Sequence, residues 1–490
     1  MPTINSLIKG AARDTVYYTA CKIIVGLTGF LSIKLFTALF TPHDYGDYTL
    51  VNTTANVLIM IFFGWLTHSG FRFVEEYSST IEEKKRFYST LFLSAAAVTL
   101  GSAAAALLIA PLTGLEINLL ILGGIFFLAT QSNSLLLFNL IRAYRLSKVY
   151  SVLMALHALL KLGLIYVLAE FAGMGVESIF FGGAILDLVV IVIMSLKLEL
   201  HRFISLKCFS REKFYRFFSY GSPLIGVSIA TWVLSASDKY IIKIFRTSAE
   251  VGIYSISYSL VASGFTLLNA SLMLGMYPVI LQNWIEEDQE STEELIGKII
   301  RYYLLIAMPA CAGLSLLARP VLQVLSSPEY ISGFVVVPWV AAGLVFLGLT
   351  EYVTKIWELQ KSTAVIFYLM IAASVFNIIL NFLLVPHYGF QAAAITTAVS
   401  YLLYLLLAYV FSRKKFTWRI DKISLLRIGL ATGIMSLIII IFVDIMVIDE
   451  LKLVLGIPLG SIVYFSALFF TGEINDEINQ LKQYVKKWGL

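Results

Sequence analysis

The stretch SPLIGVSIATWVLSASDKYIIKIFRTSAEVGIYSISYSL, residues 222–260, joins two long apolar runs through a short polar loop. A bilayer core of about 30 Å needs about 20 consecutive apolar residues per helix, and the runs at 219–243 and 251–281 are both long enough. Hydrophobic residues make up 59% of the chain and charged residues 14%, with a mean hydropathy of +0.85. Soluble domains are about 45–50% apolar and about 25% charged. This composition predicts a membrane protein.

Similar apolar runs continue along the whole chain, separated by short polar loops. They are continuous and rich in Leu, Ile and Ala, which favours helices over the alternating strands of a transmembrane barrel. We predict an all-α integral membrane protein of about fourteen transmembrane helices. The predicted spans are 16–38, 48–72, 88–110, 117–139, 150–169, 178–197, 219–243, 251–281, 298–318, 333–356, 365–385, 391–411, 425–445 and 453–472.

Lysine and arginine are distributed unevenly between the two sides of these spans. When residues near the end of a span are counted with the adjoining loop, 26 of the 36 basic residues fall on the side of the N-terminus, 4 on the other side and six within spans. Cytoplasmic loops carry the excess of Lys and Arg, so both termini are predicted to be cytoplasmic. Because this asymmetry explains the net charge of +5, we expect no nucleic-acid partner.

Two short phrases recur at nearly the same spacing. DYGDY (44–48) precedes the second span and EVGIY (250–254) precedes the eighth, 206 residues later. GMGVESI (173–179) and HYGFQAA (387–393), aligned at Gly175 and Gly389, are 214 residues apart, again six spans. Spans 1–6 and 7–12 therefore resemble two parallel copies of one unit, which in transporters enclose the substrate site between them. The simpler alternative is that Gly and Tyr are common where a loop meets a membrane helix.

The repeat predicts a division of the chain into four parts. Residues 1–197 form an N-terminal six-helix half, and 198–218 form a basic cytoplasmic linker. Residues 219–411 form a second six-helix half, and 412–490 hold two extra helices with a cytoplasmic tail.

Three stretches resemble a known family. They are the opening stretch, FTALFTPHDYGDYTLVNTTANVL (36–58) and VPHYGFQAAAITTAVSYLL (385–403). They are similar to the polysaccharide transporters, the O-antigen-type flippases of the multidrug/oligosaccharidyl-lipid/polysaccharide exporter superfamily. The pattern is Pro223 early in the seventh span, Asp238-Lys239 near its outer end, and then Glu250 to Ser255. The first half departs from it, with Ser32-Ile33 in place of the Asp-Lys pair and Lys34 one residue further on.

The resemblance implies a flippase in the bacterial plasma (inner) membrane. Its expected cargo is undecaprenyl-pyrophosphate-linked oligosaccharide for O-antigen, capsule or exopolysaccharide, moved from the cytoplasmic to the outer face by alternating access. Membrane lipids and a polysaccharide polymerase are the expected partners, and the chain is expected to act as a monomer. The alternative is an ion-coupled small-molecule or multidrug exporter of the same superfamily. A pyrophosphate carrier needs basic residues in its cavity, whereas a cation exporter needs carboxylates.

Basic residues inside apolar spans are the candidates for substrate binding. Charges within a membrane are costly and usually face a cavity or a partner, and both Lys and Arg bind phosphate. The candidates for pyrophosphate and sugar contact are Lys22, Lys34, Asn56, Arg72 and Lys239. The alternatives are that basic residues near span ends extend to the headgroups and that Asn56 binds another helix.

Three acidic residues inside spans are candidates for ion coupling: Asp187, Asp238 and Glu351. Asp187 and Lys161 are the deepest charges, and we expect either a buried ion pair between them or a proton or cation relay. Glu351 is expected to pair along its helix with Lys355, together with Glu358.

Enzyme functions are disfavoured by the motifs that the sequence lacks. It contains no HExxH, GxSxG or Walker A sequence, and no Cys/His pair has metal-ligand spacing. The predicted outer loops are also too short to hold a catalytic domain. We therefore expect a transporter with no metal and no other cofactor.

Overall fold

The computed structural model describes residues 4–112, 117–419, 421–446 and 448–479. All regular secondary structure in these ranges is helical, which confirms the all-α prediction. The helices are α1 (Ile4–Leu39), α2 (Pro42–Phe73), α3 (Ile81–Leu112), α4 (Leu119–Ala143), α5 (Ser147–Glu170), α6 (Ser178–Lys197), α7 (Leu200–Phe203), α8 (Arg211–Phe245), α9 (Ser248–Glu286), α10 (Gln289–Leu316), α11 (Ala318–Leu325), α12 (Val337–Val353), α13 (Lys355–Leu359), α14 (Thr363–Ser412), α15 (Lys422–Ile445) and α16 (Asp449–Phe470).

The helices account for all fourteen predicted spans. Within the described ranges, 12 helices are long and apolar enough to cross a membrane, and α8 adds another as two segments bent by 50°. The bend follows Pro223, which cannot donate a backbone hydrogen bond inside a helix. Ten of the predicted spans fall within one of these helices, and α14 contains two of them. The other four overlap a helix but extend beyond it by a few residues: 117–139, 298–318, 333–356 and 453–472.

The 50-residue helix α14 is a hairpin of two spans. A straight helix of that length would measure about 75 Å, far more than a bilayer core of about 30 Å. Gly389 breaks it with φ 61° and ψ −149°, a backbone conformation that glycine adopts without a steric penalty. Hydrogen bonds join Asn377 to Thr397 and Asn381 to Thr396, so the two segments lie antiparallel.

Helices α2 and α9 begin with the same cap, and the two caps are 206 residues apart. Thr41 accepts a hydrogen bond from the backbone N–H of Asp44 at 3.3 Å, and Thr247 accepts one from Glu250 at 3.2 Å. A threonine cap with an acidic residue three positions later satisfies free N–H groups at a helix start and places negative charge at its positive end. The repeated phrase therefore marks two equivalent helix starts.

The chain forms two compact units, Met1–Gly252 and Ile253–Leu490. In the first, α2 packs against α4 and α8, α1 packs against α5, and α6 packs against α4 and α5. Its core is rich in aromatic rings, including Phe63, Trp65, Phe73, Phe87 and Phe217. Helix α8 thus belongs to the first compact unit together with α2, whereas the sequence predicted it as the first helix of the second half. The predicted halves and linker remain a prediction.

The second unit is built on α10, α12, α14, α15 and α16. Helix α12 packs against α10 and α14, and α15 packs against α10 and α16. The segment after α16 is fixed to α10 by Arg301, which contacts Glu473 and Glu477 at 2.6 Å each. Ser424 of α15 also donates a hydrogen bond to Glu473, so one polar cluster joins three parts of this unit.

Candidate functional site

Two of the five predicted substrate residues lie next in the chain to a contact between α2 and α8. The hydroxyls of Thr54 on α2 and Tyr240 on α8 lie 2.6 Å apart. Asn56, one turn from Asn52, donates to the backbone carbonyl of Asn52 at 2.8 Å and keeps its side chain exposed. Lys239 precedes Tyr240 on α8 and is partly buried. An ammonium, amides and hydroxyls are thus found within two residues of this contact along the two helices, and such groups bind phosphates and sugar hydroxyls.

Asp238 lies beside this contact, on the inner side of α8. Its side chain is buried, and its Oδ1 accepts a hydrogen bond from the backbone N–H of Lys239 at 2.8 Å. That bond shows where the carboxylate points, but it does not test the predicted role in ion coupling.

The other three predicted substrate residues lie elsewhere in the first unit. Lys22 and Lys34 are on α1, which packs against α5; Lys22 is partly buried and Lys34 is exposed. Arg72 is exposed in the last turn of α2, with its guanidinium carbon 5.6 Å from the ring centre of Phe73. Their predicted role in substrate binding remains a prediction.

The two repeated glycines meet where α2 crosses the start of α9. A Cβ added to Gly46 would lie 1.8 Å from the carbonyl oxygen of Ser248, and one added to Gly252 would lie 2.0 Å from that of Pro42. Each glycine Cβ position is also 3.1 Å from the backbone nitrogen of the other glycine. Because only glycine lets two backbones approach so closely, this reciprocal contact explains both glycines. We call residues 42–46 and 248–252 the glycine crossing.

A polar cluster fastens the glycine crossing. Lys243 at the end of α8 lies 3.3 Å from Oδ1 of Asp47, and Ser248 donates to the same oxygen. Lys243 also bonds the Ser248 hydroxyl, and His43 lies 3.6 Å from the other oxygen of Asp47. The sequence alone indicated no role for Lys243, the last residue of the predicted span 219–243. The repeated phrase could have indicated this cluster, because it marks the starts of both helices.

A buried cluster lies between α5 and α6, and it corrects one expectation. No ion-pair contact joins Lys161 to Asp187, so the predicted direct ion pair is wrong. Asp187 instead accepts a hydrogen bond from Ser134 at 2.8 Å and lies 3.1 Å from Nε2 of His157. The Lys161 ammonium lies 5.4 Å from the ring centre of Phe127. His157 was missed, although its position four residues before Lys161 puts both on one helix face.

The predicted pairing of Glu351 with Lys355 is also wrong. Lys355 pairs with Glu358 at 2.7 Å. Lys355 thus lies one position beyond a local break in the helix, since α12 ends at Val353 and α13 begins at Lys355, and its ammonium contacts the carboxylate that follows it in the chain. Glu351 is partly buried, and its predicted role in ion coupling remains a prediction.

The hairpin α14 contains a buried polar network that the sequence did not reveal. Asn381 donates to Asn377 at 3.0 Å and accepts from Thr396 at 2.6 Å, while Asn377 donates to Thr397 at 3.4 Å. All four side chains are at most 2% exposed. These groups satisfy one another without any charge.

In the part of the chain that the structure describes, no group of three or more His, Cys, Asp or Glu side chains is placed to hold a metal ion.

Comparison with protein families gives a match over most of the chain. Residues 35–335 match the model of a family described as "Polysaccharide biosynthesis protein". A probable low-salt glycan biosynthesis flippase, Agl15 of Haloferax volcanii, is 22% identical over 184 residues, 38% of this chain and 39% of the relative. An uncharacterized membrane protein of Methanocaldococcus jannaschii is 24% identical over 197 residues, 39% of this chain and 38% of the relative. The alignments thus span about two fifths of these curated relatives.

Solved structures share the fold over a larger part of the chain. The lipid II flippase MurJ in an inward closed conformation matches with a TM-score of 0.76 and 17% identity, covering 94% of this chain and 100% of that one. An inward-facing MATE multidrug resistance transporter of the MOP superfamily matches with a TM-score of 0.58 and 15% identity, covering 82% and 94%. At these identities the likeness concerns the fold.

Proposed function

Since the chain belongs to the polysaccharide biosynthesis protein family and is a multi-pass membrane protein with the fold of MOP transporters, we propose that it is a lipid-linked oligosaccharide flippase. The family match over residues 35–335 carries this proposal. The Haloferax volcanii relative, a probable glycan biosynthesis flippase, supports it. The named relatives with a stated activity are flippases and transporters, in agreement with the prediction that the chain is not an enzyme.

The proposed cargo is an undecaprenyl-pyrophosphate-linked oligosaccharide for O-antigen, capsule or exopolysaccharide. Its pyrophosphate carries negative charge through the membrane, and lysine or arginine within apolar helices would offset that charge. The residues available for this are Lys22, Lys34, Arg72 and Lys239. The exposed amide of Asn56 and the hydroxyls of Thr54 and Tyr240 suit the sugar.

The proposed mechanism is alternating access. The glycine crossing brings the starts of α2 and α9 into contact, and the Asp47–Lys243–Ser248 cluster holds these two helix starts together. The charges in this cluster are partly exposed, so its contribution is modest and it can open. The excess of Lys and Arg at the opposite ends of the helices puts the crossing on the outer face and both termini in the cytoplasm.

The remaining assignments follow from that orientation. Transport runs from the cytoplasmic to the outer face of a bacterial plasma membrane. The chain acts as a monomer, in contact with membrane lipids and with a polysaccharide polymerase as a candidate partner.

The test uses a strain from which the chromosomal copy is deleted. We expect undecaprenyl-pyrophosphate-linked repeat units to accumulate on the cytoplasmic face and surface polysaccharide to disappear. The wild-type chain restores the polysaccharide, Lys34→Ala and Lys239→Ala fail to restore it at equal protein level, and the Arg variants restore it in part. Lys298→Ala is the matched control, because Lys298 is an exposed lysine paired with Glu294.

The outcomes separate the substrate from the site. Accumulation with full rescue by both alanine variants would keep the flippase and remove Lys34 and Lys239 from the site. Absence of accumulation would contradict the flippase and favour an ion-coupled small-molecule exporter, whose transporters share the fold.

A further inference from the structure

Two polar atoms at the α5–α6 contact are buried without a hydrogen-bond partner. The Asp187 side chain is 1% exposed, and its Oδ2 has no partner among the described residues. Nε2 of His157 lies 3.1 Å from the other oxygen, Oδ1, but it also makes no hydrogen bond there. Buried polar atoms are nearly always satisfied in native structures. An unsatisfied carboxylate that lies beside an unsatisfied imidazole therefore indicates a site that a ligand completes.

Lys161 brings a positive charge to the same place. It lies one turn along α5 from His157 and faces Gly183, which is one turn along α6 from Asp187. A Cβ on Gly183 would come within 3.3 Å of the Lys161 ammonium nitrogen. Because Gly183 has no side chain, the Lys161 ammonium can lie at this position. Asp187 supplies the acidic group at the same helix contact.

The side chains at the site are better suited to a proton than to a metal ion. A bound metal cation would need several oxygen ligands, and the oxygen ligands identified here are the Asp187 carboxylate and the Ser134 hydroxyl. It would also be repelled by the Lys161 ammonium. A proton does not need several ligands. When it is added to Nε2 of His157, the ring becomes an imidazolium, and the negative charge of Asp187 balances its positive charge.

We propose that His157, Asp187 and Lys161 form a proton-binding site between α5 and α6. The proton is held on the His157 imidazole, and Asp187 stabilises the charged form. Ser134 orients the carboxylate, so it is a positioning residue. His157 keeps 13% of its side chain exposed, which leaves it reachable for a proton.

The neighbouring helices place other charges at a distance from the site. Among the described side chains, the charged or ionisable residues on the packed elements are Tyr17, Tyr18, Cys21, Lys22 and Lys34 on α1, Arg142 on α4, Lys197 on α6, and His201 and Arg202 on α7. Tyr18 of α1 meets Tyr150 of α5 with ring centres 5.5 Å apart. Helix α4 contributes the uncharged Ser134 and Phe127 at the contact.

The consequence for transport rests on the proposed function. Helix α1 carries Lys22 and Lys34, the candidate pyrophosphate contacts, and it packs against α5. Occupancy of the proton site changes the charge that α5 carries beside α1. The flipping rate should therefore depend on pH through His157 and Asp187.

The first test does not involve transport. The five histidines of the purified full-length protein are labelled with ¹⁵N, and the His157 signals are assigned by their loss in His157→Gln. We expect the His157 signals of the wild type to change with pH, as reversible binding of a proton requires. The change should differ in Asp187→Asn and in Lys161→Met, which remove the acidic and the basic neighbour of the imidazole. His68, exposed on α2, is the internal reference.

If Asp187→Asn does not fold, Ser134→Ala takes its place and should give a smaller difference from the wild type, since it keeps the carboxylate but removes one hydrogen bond. A His157 signal that does not change between pH 5 and 8, or a change that every variant leaves as in the wild type, would overturn the proposal.

The second test measures flipping against pH in proteoliposomes. The wild type and His68→Gln should change rate between pH 5 and 8, whereas His157→Gln and Asp187→Asn should lose that dependence. A wild-type rate that does not vary with pH would overturn the coupling. A deletion strain that accumulates no lipid-linked saccharide would instead contradict the flippase and leave the histidine titration standing.

Discussion

The α5–α6 contact in the first unit and the α14 hairpin in the second have the same plan and opposite chemistry. Each pairs two antiparallel helices across a glycine-containing turn. At α5–α6 the buried groups are charged or ionisable, and two of their atoms lack hydrogen bonds. In α14 the buried groups are amides and hydroxyls that bond one another.

The predicted repeat, aligned at Gly175 and Gly389, pairs these two regions residue by residue. At the positions of His157, Lys161 and Asp187, α14 has Ile371, Val375 and Tyr401. At the positions of Gly182 and Gly183, it has Thr396 and Thr397. In the α5–α6 contact a lysine packs against a glycine, whereas in α14 amides pack against hydroxyls.

This difference separates what the fold needs from what a function needs. A neutral network in which every group is bonded stabilises a helix pair at any pH. A buried charge with unbonded atoms costs stability, and proteins keep such exceptions mostly at functional sites. The comparison is consistent with a structural role for the α14 network and supports the proposal that the α5–α6 cluster binds a proton.

The largest expected effect tests the repeat on which this comparison depends. Gly46→Ala and Gly252→Ala would each put a Cβ about 2 Å or less from a backbone carbonyl oxygen, and backbone has little freedom to move away. We expect each to lower the free energy of unfolding by more than about 3 kcal/mol, measured by unfolding in detergent.

The matched controls lie on the same two helices. Added Cβ atoms at Gly64 on α2 and Gly264 on α9 meet nothing within 4 Å. Alanine there should leave stability unchanged or raise it by up to about 1 kcal/mol, because alanine favours helix over glycine. Equal effects at the crossing and control positions would show that the two phrases do not meet.

The next effect concerns the charges at α5–α6. Asp187→Leu leaves the partly buried Lys161 without an acidic group beside it, so we expect a loss of up to about 3 kcal/mol. The double variant Asp187→Leu/Lys161→Met removes both charges and should recover most of that loss. A double variant no more stable than the single one would show that Lys161 does not depend on Asp187.

A smaller effect is expected in the α14 hairpin. Asn381→Ala removes the partner of both Asn377 and Thr396, which should cost about 1–3 kcal/mol. Because no charge is involved, the loss should be the same at pH 5 and at pH 8. Asn56→Ala, at an exposed amide of α2, should cost less than about 0.5 kcal/mol. If the stability lost in Asn381→Ala depended on pH, the α14 network would not differ from the α5–α6 cluster in the way described.

The smallest effect separates the proton site from another source of pH dependence. Glu477 lies beyond α16. Burial, the largest single influence, tends to raise its pKa, but the hydrogen bond and charge of Arg301, together with further hydrogen bonds, outweigh burial and hold the pKa below its ordinary value. Its stabilisation is therefore present above the ordinary pKa of a glutamate and is lost as the pH falls through the lowered pKa.

Glu477→Gln should accordingly cost about 1 kcal/mol at neutral pH, and the difference from the wild type should disappear in acid. Stability curves recorded between pH 3 and 8 would test this. If the stability difference between the wild type and Glu477→Gln changed mainly between pH 5 and 8, stability curves could not distinguish Glu477 from the proposed proton site at α5–α6.

Composition and periodicity were enough to predict the fold, because each span must be apolar over the thickness of a bilayer. The repeated phrase located both helix starts, and the structure added that they touch at Gly46 and Gly252. Depth along a span also marked Lys161 and Asp187 as buried. It did not show which side chains reach each other, because that depends on how α5 is rotated against α6, and His157 lies closer to Asp187. The α14 network was invisible, since Asn and Thr at these spacings are equally common at solvent-exposed positions.

The measurement that tests the account most directly is transport by the purified chain. Liposomes would contain the wild-type protein and a fluorescent undecaprenyl-pyrophosphate-linked oligosaccharide, and a membrane-impermeant quencher would report the fraction on the outer leaflet. Flipping faster than in protein-free liposomes, and lost in Lys34→Ala and Lys239→Ala but kept in Lys298→Ala, is the predicted result. A rate equal to that of protein-free liposomes would contradict the proposal that this chain moves lipid-linked oligosaccharides.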